Sequence, residues 1–177
     1  IIKIRQHLHC AGNITESSTG IPIIELNGTV NQDIFIPGNM LNSVILRMNN
    51  PSGATLLSAV SLPYKLELLN GKLTTTSFFL LTLQPNCTIQ ADSTRNNCFV
   101  NGPLQKLGLN NSSFFLFPVG KGILQRWAEV KNASGNFTVE FFKNSAYSLS
   151  VTLGGGIDHV SHIEYWSIEA NSGASAN

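Results

Sequence analysis

The stretch YKLELLNGKLTTTSFFLLTL, residues 64 to 83, carries its apolar side chains in short bursts separated by turn-forming and hydroxyl residues. Leu66 and Leu68 come first, then Leu73, then Leu80, Leu81 and Leu83. Ile45 with Leu46 and Leu56 with Leu57 extend the pattern upstream, and Ile89 extends it downstream, so apolar groups recur at intervals of about ten residues. That interval leaves a sandwich only minimal connections, but it suits short strands stacked in coils, each burying its inward residues against the next. The pattern therefore predicts an all-β chain with a right-handed parallel β-helix-like solenoid over residues 20 to 100. An antiparallel meander is the alternative, because the pairs Asn27-Gly28 and Asn70-Gly71 also suit hairpin turns.

The rest of the chain is read outward from this centre. No apolar stripe of helical period with a cap at each end occurs. Strand texture dominates instead, in TVNQDIFI (29 to 36), SVILRM (43 to 48), FTVEFF (137 to 142) and YSLSVTL (147 to 153), with PGN, NNPSG, PN and GGG as breakers. Beyond residue 100 the alternation becomes cleaner, as in Phe137, Val139 and Phe141, and both tryptophans, Trp127 and Trp166, lie there. Residues 101 to 177 are therefore expected to form an antiparallel sheet or sandwich-like unit that continues beyond the last residue. Residues 1 to 19 are expected to be a lead-in from a longer parent chain, since IIKIRQHLHCAG lacks the order of a signal peptide.

Composition restricts the partners. Only 12% of the 177 residues are charged against 42% hydrophobic, and the formal net charge is +1, which gives no electrostatic footprint for nucleic acid or an anionic membrane. No apolar run approaches the roughly 20 residues of a membrane-spanning helix.

The reactive residues are few and scattered. Cys87 and Cys98 flank the polar loop TIQADSTRNN, and a disulfide closing it in an oxidising compartment would contribute up to about 3 kcal/mol. Cys10 is then left buried or paired elsewhere. His7 and His9 fall on one side of any strand, and Asp158, His159 and His162 are weighed as a metal site, but a loop leading into a strand explains them better. Glu25, Asp33, Glu67 and Asp92 stand far apart in sequence, so no carboxylate pair for glycoside chemistry is predicted. With no nucleophile elbow, phosphate loop or cysteine-histidine arrangement, the sequence predicts no enzyme activity, no cofactor and no metal. Trp127, Tyr147, Tyr165 and Trp166 are expected in the core, Tyr165 and Trp166 because they stand between Ile163 and Ile168. A flat exposed row of these rings would instead indicate carbohydrate binding. Sequons begin at Asn13, Asn27, Asn86, Asn110, Asn111, Asn132 and Asn136.

Four phrases stand in order along the chain: LELLNGKLTTTSFFLLTL (66 to 83), FVNGPLQKLG (99 to 108), FLFPVGKG (115 to 122) and HVSHIEYWSIEANSGAS (159 to 175). Gly102-Pro103 and Pro118, Gly120 and Gly122 read as turns that bracket the change from solenoid to sheet. The order and spacing of the phrases resemble those of very large secreted or cell-surface proteins of the Bacteroidetes, adhesin-like and gliding-associated cargo of the type IX secretion pathway. The resemblance covers residues 27 to 175 and departs from the family where Ile123 to Trp127 replace a GGxYRP phrase and where Ala170 replaces an arginine. It implies an extracellular, non-enzymatic structural or adhesive passenger segment. The implied partners are other regions of the parent protein, surface glycans or outer-membrane secretion and attachment components. Asp92-Ser93-Thr94 is also similar to the acceptor of Bacteroidetes O-glycosylation, which makes Ser93 or Thr94 the expected glycan site.

Overall fold

The computed structural model describes residues 1–17, 19–110, 114–149, 159–171 and 174–176. The chain winds through five coils. The first supplies β1 (Ile2–Ile4) and β2 (Leu8–His9), and the second β3 (Ile23–Leu26) and β4 (Gln32–Phe35). The third supplies β5 (Ile45–Asn49), β6 (Ala54–Leu56) and β7 (Val60–Leu62), and the fourth β8 (Lys65–Asn70), β9 (Leu73–Thr74) and β10 (Leu81–Leu83). The fifth supplies β11 (Thr88–Ala91), β12 (Val100–Asn101) and β13 (Leu104–Leu109).

Equivalent strands of successive coils pair in parallel and form three sheets. The first sheet is β1-β3-β5-β8-β11, the second runs from β2 through β4, β6, β9 and β12, and the third begins with β7, β10 and β13. On the third side the first two coils meet only through the bridge Ile14 to Met40. The solenoid expected over the middle of the chain is thus present, and the meander is excluded by the parallel pairing. Asn27-Gly28 and Asn70-Gly71 make corners between the first and second sheets, where hairpins would have reversed the chain.

Parallel register stacks like on like. Ile2, Ile24, Leu46, Leu66 and Ile89 form one column, at steps of 22, 22, 20 and 23 residues. Ala54, Leu73, Val100 and Val119 form another, and Val60, Leu81 and Leu104 a third. The columns meet in one hydrophobic core in which Leu26, Leu46, Leu66, Leu68, Leu81 and Leu104 are almost wholly buried. The ten-residue recurrence therefore measures the distance from one strand to a later one around the circumference, and a full coil takes about twice that.

The boundaries differ from those expected. Residues 1 to 19 hold the first coil, since β1 and β2 pair with the second coil in the same register as all later ones. Coiling also continues past residue 100, through β13 and into β15 (Val119–Lys121), which pairs in parallel with β12. The two Gly/Pro phrases mark the change because each contributes a strand with a parallel neighbour on one edge and an antiparallel one on the other. For β15 that neighbour is β16 (Leu124–Gln125), and for β13 it is β18 (Ala133–Phe142).

The antiparallel part closes the stack. β14 (Phe114–Phe117) and β17 (Ala128–Lys131) form a separate ribbon, while β19 (Tyr165–Ala170) and β20 (Ser175–Ala176) pair with β18. Phe137, Val139 and Phe141 of β18 point into the core, as their alternation predicts. The strand expected over residues 147 to 153 is not found: Ala146–Leu149 form a single 3-10 turn, and 150 to 153 lie outside the described residues. No helix among the described residues is long and apolar enough to cross a membrane.

Candidate functional site

The outer face of the first sheet carries the densest group of charges. Register places Glu25 beside Arg47 and Arg47 beside Glu67 on successive coils. Arg47 donates from Nη1 to Glu25 Oε2 at 3.2 Å and from Nε to Glu67 Oε2 at 2.6 Å. Lys65 Nζ closes the group at 2.8 Å from Glu67 Oε1 and also donates to Gln90 Oε1 at 2.9 Å. Carboxylates far apart in sequence are therefore gathered, contrary to their separation along the chain. Burial pushes the Glu67 carboxyl up, but hydrogen bonds from Lys65 and Arg47 outweigh it and hold the group below its usual range. A carboxylate so held is ionised at neutral pH and suits an ion pair better than proton donation.

The second buried charge is Lys106. It occupies the third-sheet column between Leu83 and Phe137, where the core calls for an apolar residue. Its ammonium donates to the carbonyls of Gln84 and Pro85 at 2.7 Å each and of Cys87 at 3.1 Å, and lies 5.4 Å from the centre of the Phe115 ring. Three carbonyls at the corner between the third and first sheets thus share one donor. Neither this clamp nor the ladder on the first sheet is legible without knowing which coil stacks on which.

The expected Cys87–Cys98 bridge is not made, and both cysteines are free, buried thiols. β11 runs away from Cys87, and Cys98 lies beside Asp92, just past the far end of that strand. Cys87 sits where β11 begins, and Cys98 where the chain turns toward β12. Burial pushes the Cys87 thiol up to about 12 and raises that of Cys98 as well. Cys10, half-buried, donates to Gly12 O at 3.4 Å.

The loop between the two thiols is ordered by Asp92. Its Oδ1 accepts from the Thr94 amide at 2.9 Å and the Thr94 hydroxyl at 2.6 Å, and Oδ2 accepts from Arg95 Nε at 3.1 Å. The Thr94 hydroxyl, more than any other group, holds the Asp92 carboxyl below its usual range. Ser93 and Thr94 are both exposed.

The histidines do not converge. His7 and His9 share a side, with ring centres 6.0 Å apart, but His7 faces Asp33 and His9 packs edge-on to Phe35. Asp158 lies outside the described residues, and His162 stacks on Tyr147 at 5.3 Å. Among the described residues no three metal-ligating side chains come together.

The aromatic residues expected in the core are partly outside it. Tyr147 is 70% exposed and Trp166 39%, while Trp127 and Tyr165 are half-buried. Trp166 packs against Phe141 at 5.4 Å, and Tyr165 stacks on Phe142 at 4.9 Å with planes only 11° apart. Successive residues of β19 face opposite ways, so Tyr165 and Trp166 belong to different faces and form no flat row. On its edge strand, Trp166 also donates from Nε1 to Arg126 O at 3.1 Å.

The outer face of the third sheet holds a hollow of about 290 Å³ lined by Gln105, Thr138, Glu140, Phe142, Ser167 and Glu169, among others. A polar row crosses it: Thr82 donates to Gln105 at 3.0 Å, Gln105 to Thr138 at 3.2 Å and Thr138 to Asn171 at 3.4 Å. Glu140 is held by Lys121 at 3.0 Å, and Glu169 accepts from Ser167 at 3.3 Å.

The fold defines the class of the chain, a β-solenoid that ends in antiparallel strands. No protein-family model, no curated protein and no solved structure matches it.

Proposed function

We propose that the chain is a non-enzymatic structural and adhesive segment of a large secreted or cell-surface bacterial protein, of the kind exported by the type IX pathway in Bacteroidetes. The observation that carries this reading is the use made of the buried ionisable groups. Glu25, Arg47, Glu67 and Lys65 neutralise one another across three coils, and Lys106 is committed to three carbonyls of a corner. Groups spent on holding coil to coil suit a stalk or a display platform. The four sequence phrases and the low charge support the same reading.

In this reading the loop at 92 to 95 is a decoration site. Ser93 and Thr94 are accessible to a transferase, and Asp92 holds the backbone around them in one turn. Protease shaving of intact host cells, read with an antibody to this segment, tests the location. Loss of the signal on shaving is expected, and a signal found only after lysis overturns the surface assignment. Fragmentation of the loop peptide from host-purified protein tests the glycan, with an unmodified peptide overturning that part alone.

The second reading, a carbohydrate-binding or carbohydrate-active module, is favoured by one observation, the polar hollow on the third sheet.

A further inference from the structure

We infer that the hollow on the outer face of the third sheet is a binding site for one ring of a neutral saccharide. The inference deepens the adhesive half of the proposed function and rests on it, because it names the class of molecule to which the segment would adhere.

The hollow lies on the regular part of the sheet, where strand pairing fixes its side chains. Register puts Gln105 beside Thr138, Thr138 beside Glu169, and Glu140 beside Ser167, all on the face turned away from the core. Hydroxyl, amide and carboxylate groups from three adjacent strands thus line one concave surface. They are half-exposed or exposed, so their mutual hydrogen bonds of 3.2 to 3.4 Å can be exchanged for bonds to a ligand without opening the core. The two carboxylates keep spare acceptor capacity, since an ionised carboxylate has about four lone-pair sites. Glu140 is given one partner by Lys121 and Glu169 one by Ser167.

The polar groups accept more than they donate, which suits a ligand that presents several hydroxyl protons in a small space. Phe142 lines the hollow, stacked on Tyr165 at 4.9 Å and with the Lys121 ammonium 5.7 Å from its ring centre, and so offers its apolar edge to a sugar ring. On the opposite lip, Ser77 belongs to a turn closed by a hydrogen bond from the Phe79 amide to Thr76 Oγ1. That turn also carries Phe78, 86% exposed.

Charge and size narrow the class. No lysine or arginine lines the hollow itself; Lys121 neutralises Glu140 from outside it, and Glu169 leaves one net negative charge, which disfavours uronates, sulfated sugars and phosphate esters. Sites for drug-sized molecules run from about 300 to 1,000 Å³, so a hollow of about 290 Å³ matches one ring at a chain end and not a length of polymer.

The test is a titration of the isotopically labelled chain, followed by amide resonances, with the methyl glycosides of glucose, galactose, mannose and N-acetylglucosamine, and with glucuronate as the charged control. Shifts confined to residues 77 to 80, 103 to 105, 138 to 142 and 165 to 171 are expected with at least one neutral glycoside, and none with glucuronate. Glu169→Gln and Phe142→Ala should each weaken binding about tenfold. Ser167→Ala serves as the second variant if either of these disturbs the remaining resonances. No response to any neutral glycoside, a response centred elsewhere, or equal binding of glucuronate overturns the inference. Because this measurement uses the isolated chain, its failure leaves the surface assignment standing, and failure of the shaving experiment leaves the binding result untouched.

Discussion

Gly71 lies directly over the Asn50 carbonyl of the preceding coil: a Cβ added to Gly71 would come within 1.8 Å of that oxygen, and the residue already has φ of +93°. The corner between the first and second sheets thus has room for a hydrogen atom and nothing larger. Gly71→Ala is expected to cost about 3 kcal/mol or more, because left-handed strain adds to a forced backbone displacement. Gly122, with φ of +63° and open space around it, is the control, and Gly122→Ala should cost about 1 kcal/mol. Denaturant midpoints of the two variants provide the comparison, and equal losses would contradict the stacking.

Arg47→Met strands the nearly buried Glu25 carboxylate and leaves Glu67 with Lys65 as its one cation. A loss of about 3 to 5 kcal/mol is expected at neutral pH. In the wild type, the depressed Glu67 carboxyl contributes stability that is fully present above the unfolded value of about 4.3 and lost as pH falls through the lower folded value. In the variant the trend weakens, since Glu67 has lost one of the two donors that hold its carboxyl down. Thermal melts of both proteins between neutral pH and about pH 4 should converge.

Lys106→Met removes the shared donor of three corner carbonyls while retaining a side chain that fits the column between Leu83 and Phe137. A loss of about 3 kcal/mol is expected, less than the sum for three orphaned carbonyls because water can enter from the adjoining hollow. Hydrogen exchange should show the amides of 84 to 88 opening first. Unchanged protection there would argue against the clamp.

Native-state alkylation separates the three thiols. With its thiol at about 12, Cys87 carries roughly one thiolate in ten thousand at pH 8, and Cys98 is buried as well. Cys10 should react in the folded protein and the other two only after denaturant is added. A Cys87–Cys98 cross-linked peptide in a non-reducing map would show that the 88 to 97 segment takes another arrangement.

The solenoid was legible because inward residues of one kind recur whatever the corners do, and the absence of helical periodicity left strands as the way to bury them. The circumference was not, because a coil uses two or three strands joined by corners of unequal length. Between Leu8 and Ile34 the step is 26 residues, and between Val100 and Val119 it is 19. Glu25, Arg47 and Glu67 could not be grouped without that circumference. The bridge between Cys87 and Cys98 was expected because the residues between them read as loop, whereas β11 occupies part of the segment and holds its ends apart. The exposure of Trp166 depended on β19 being an edge strand, which its composition does not reveal.

The alternation of Glu25, Arg47 and Glu67 has a consequence for assembly of the chain. Coils with similar inward residues can exchange places at little hydrophobic cost, and skipping a coil is a natural error for such a stack. If β3 docked on β8 with β5 looped out, the same register would set Glu25 against Glu67, two carboxylates face to face with no cation between them. Like charges directly opposite one another disfavour that pairing. The outer face of the first sheet thereby works as a proofreading device, rejecting a mis-wound chain that the leucine columns alone would accept.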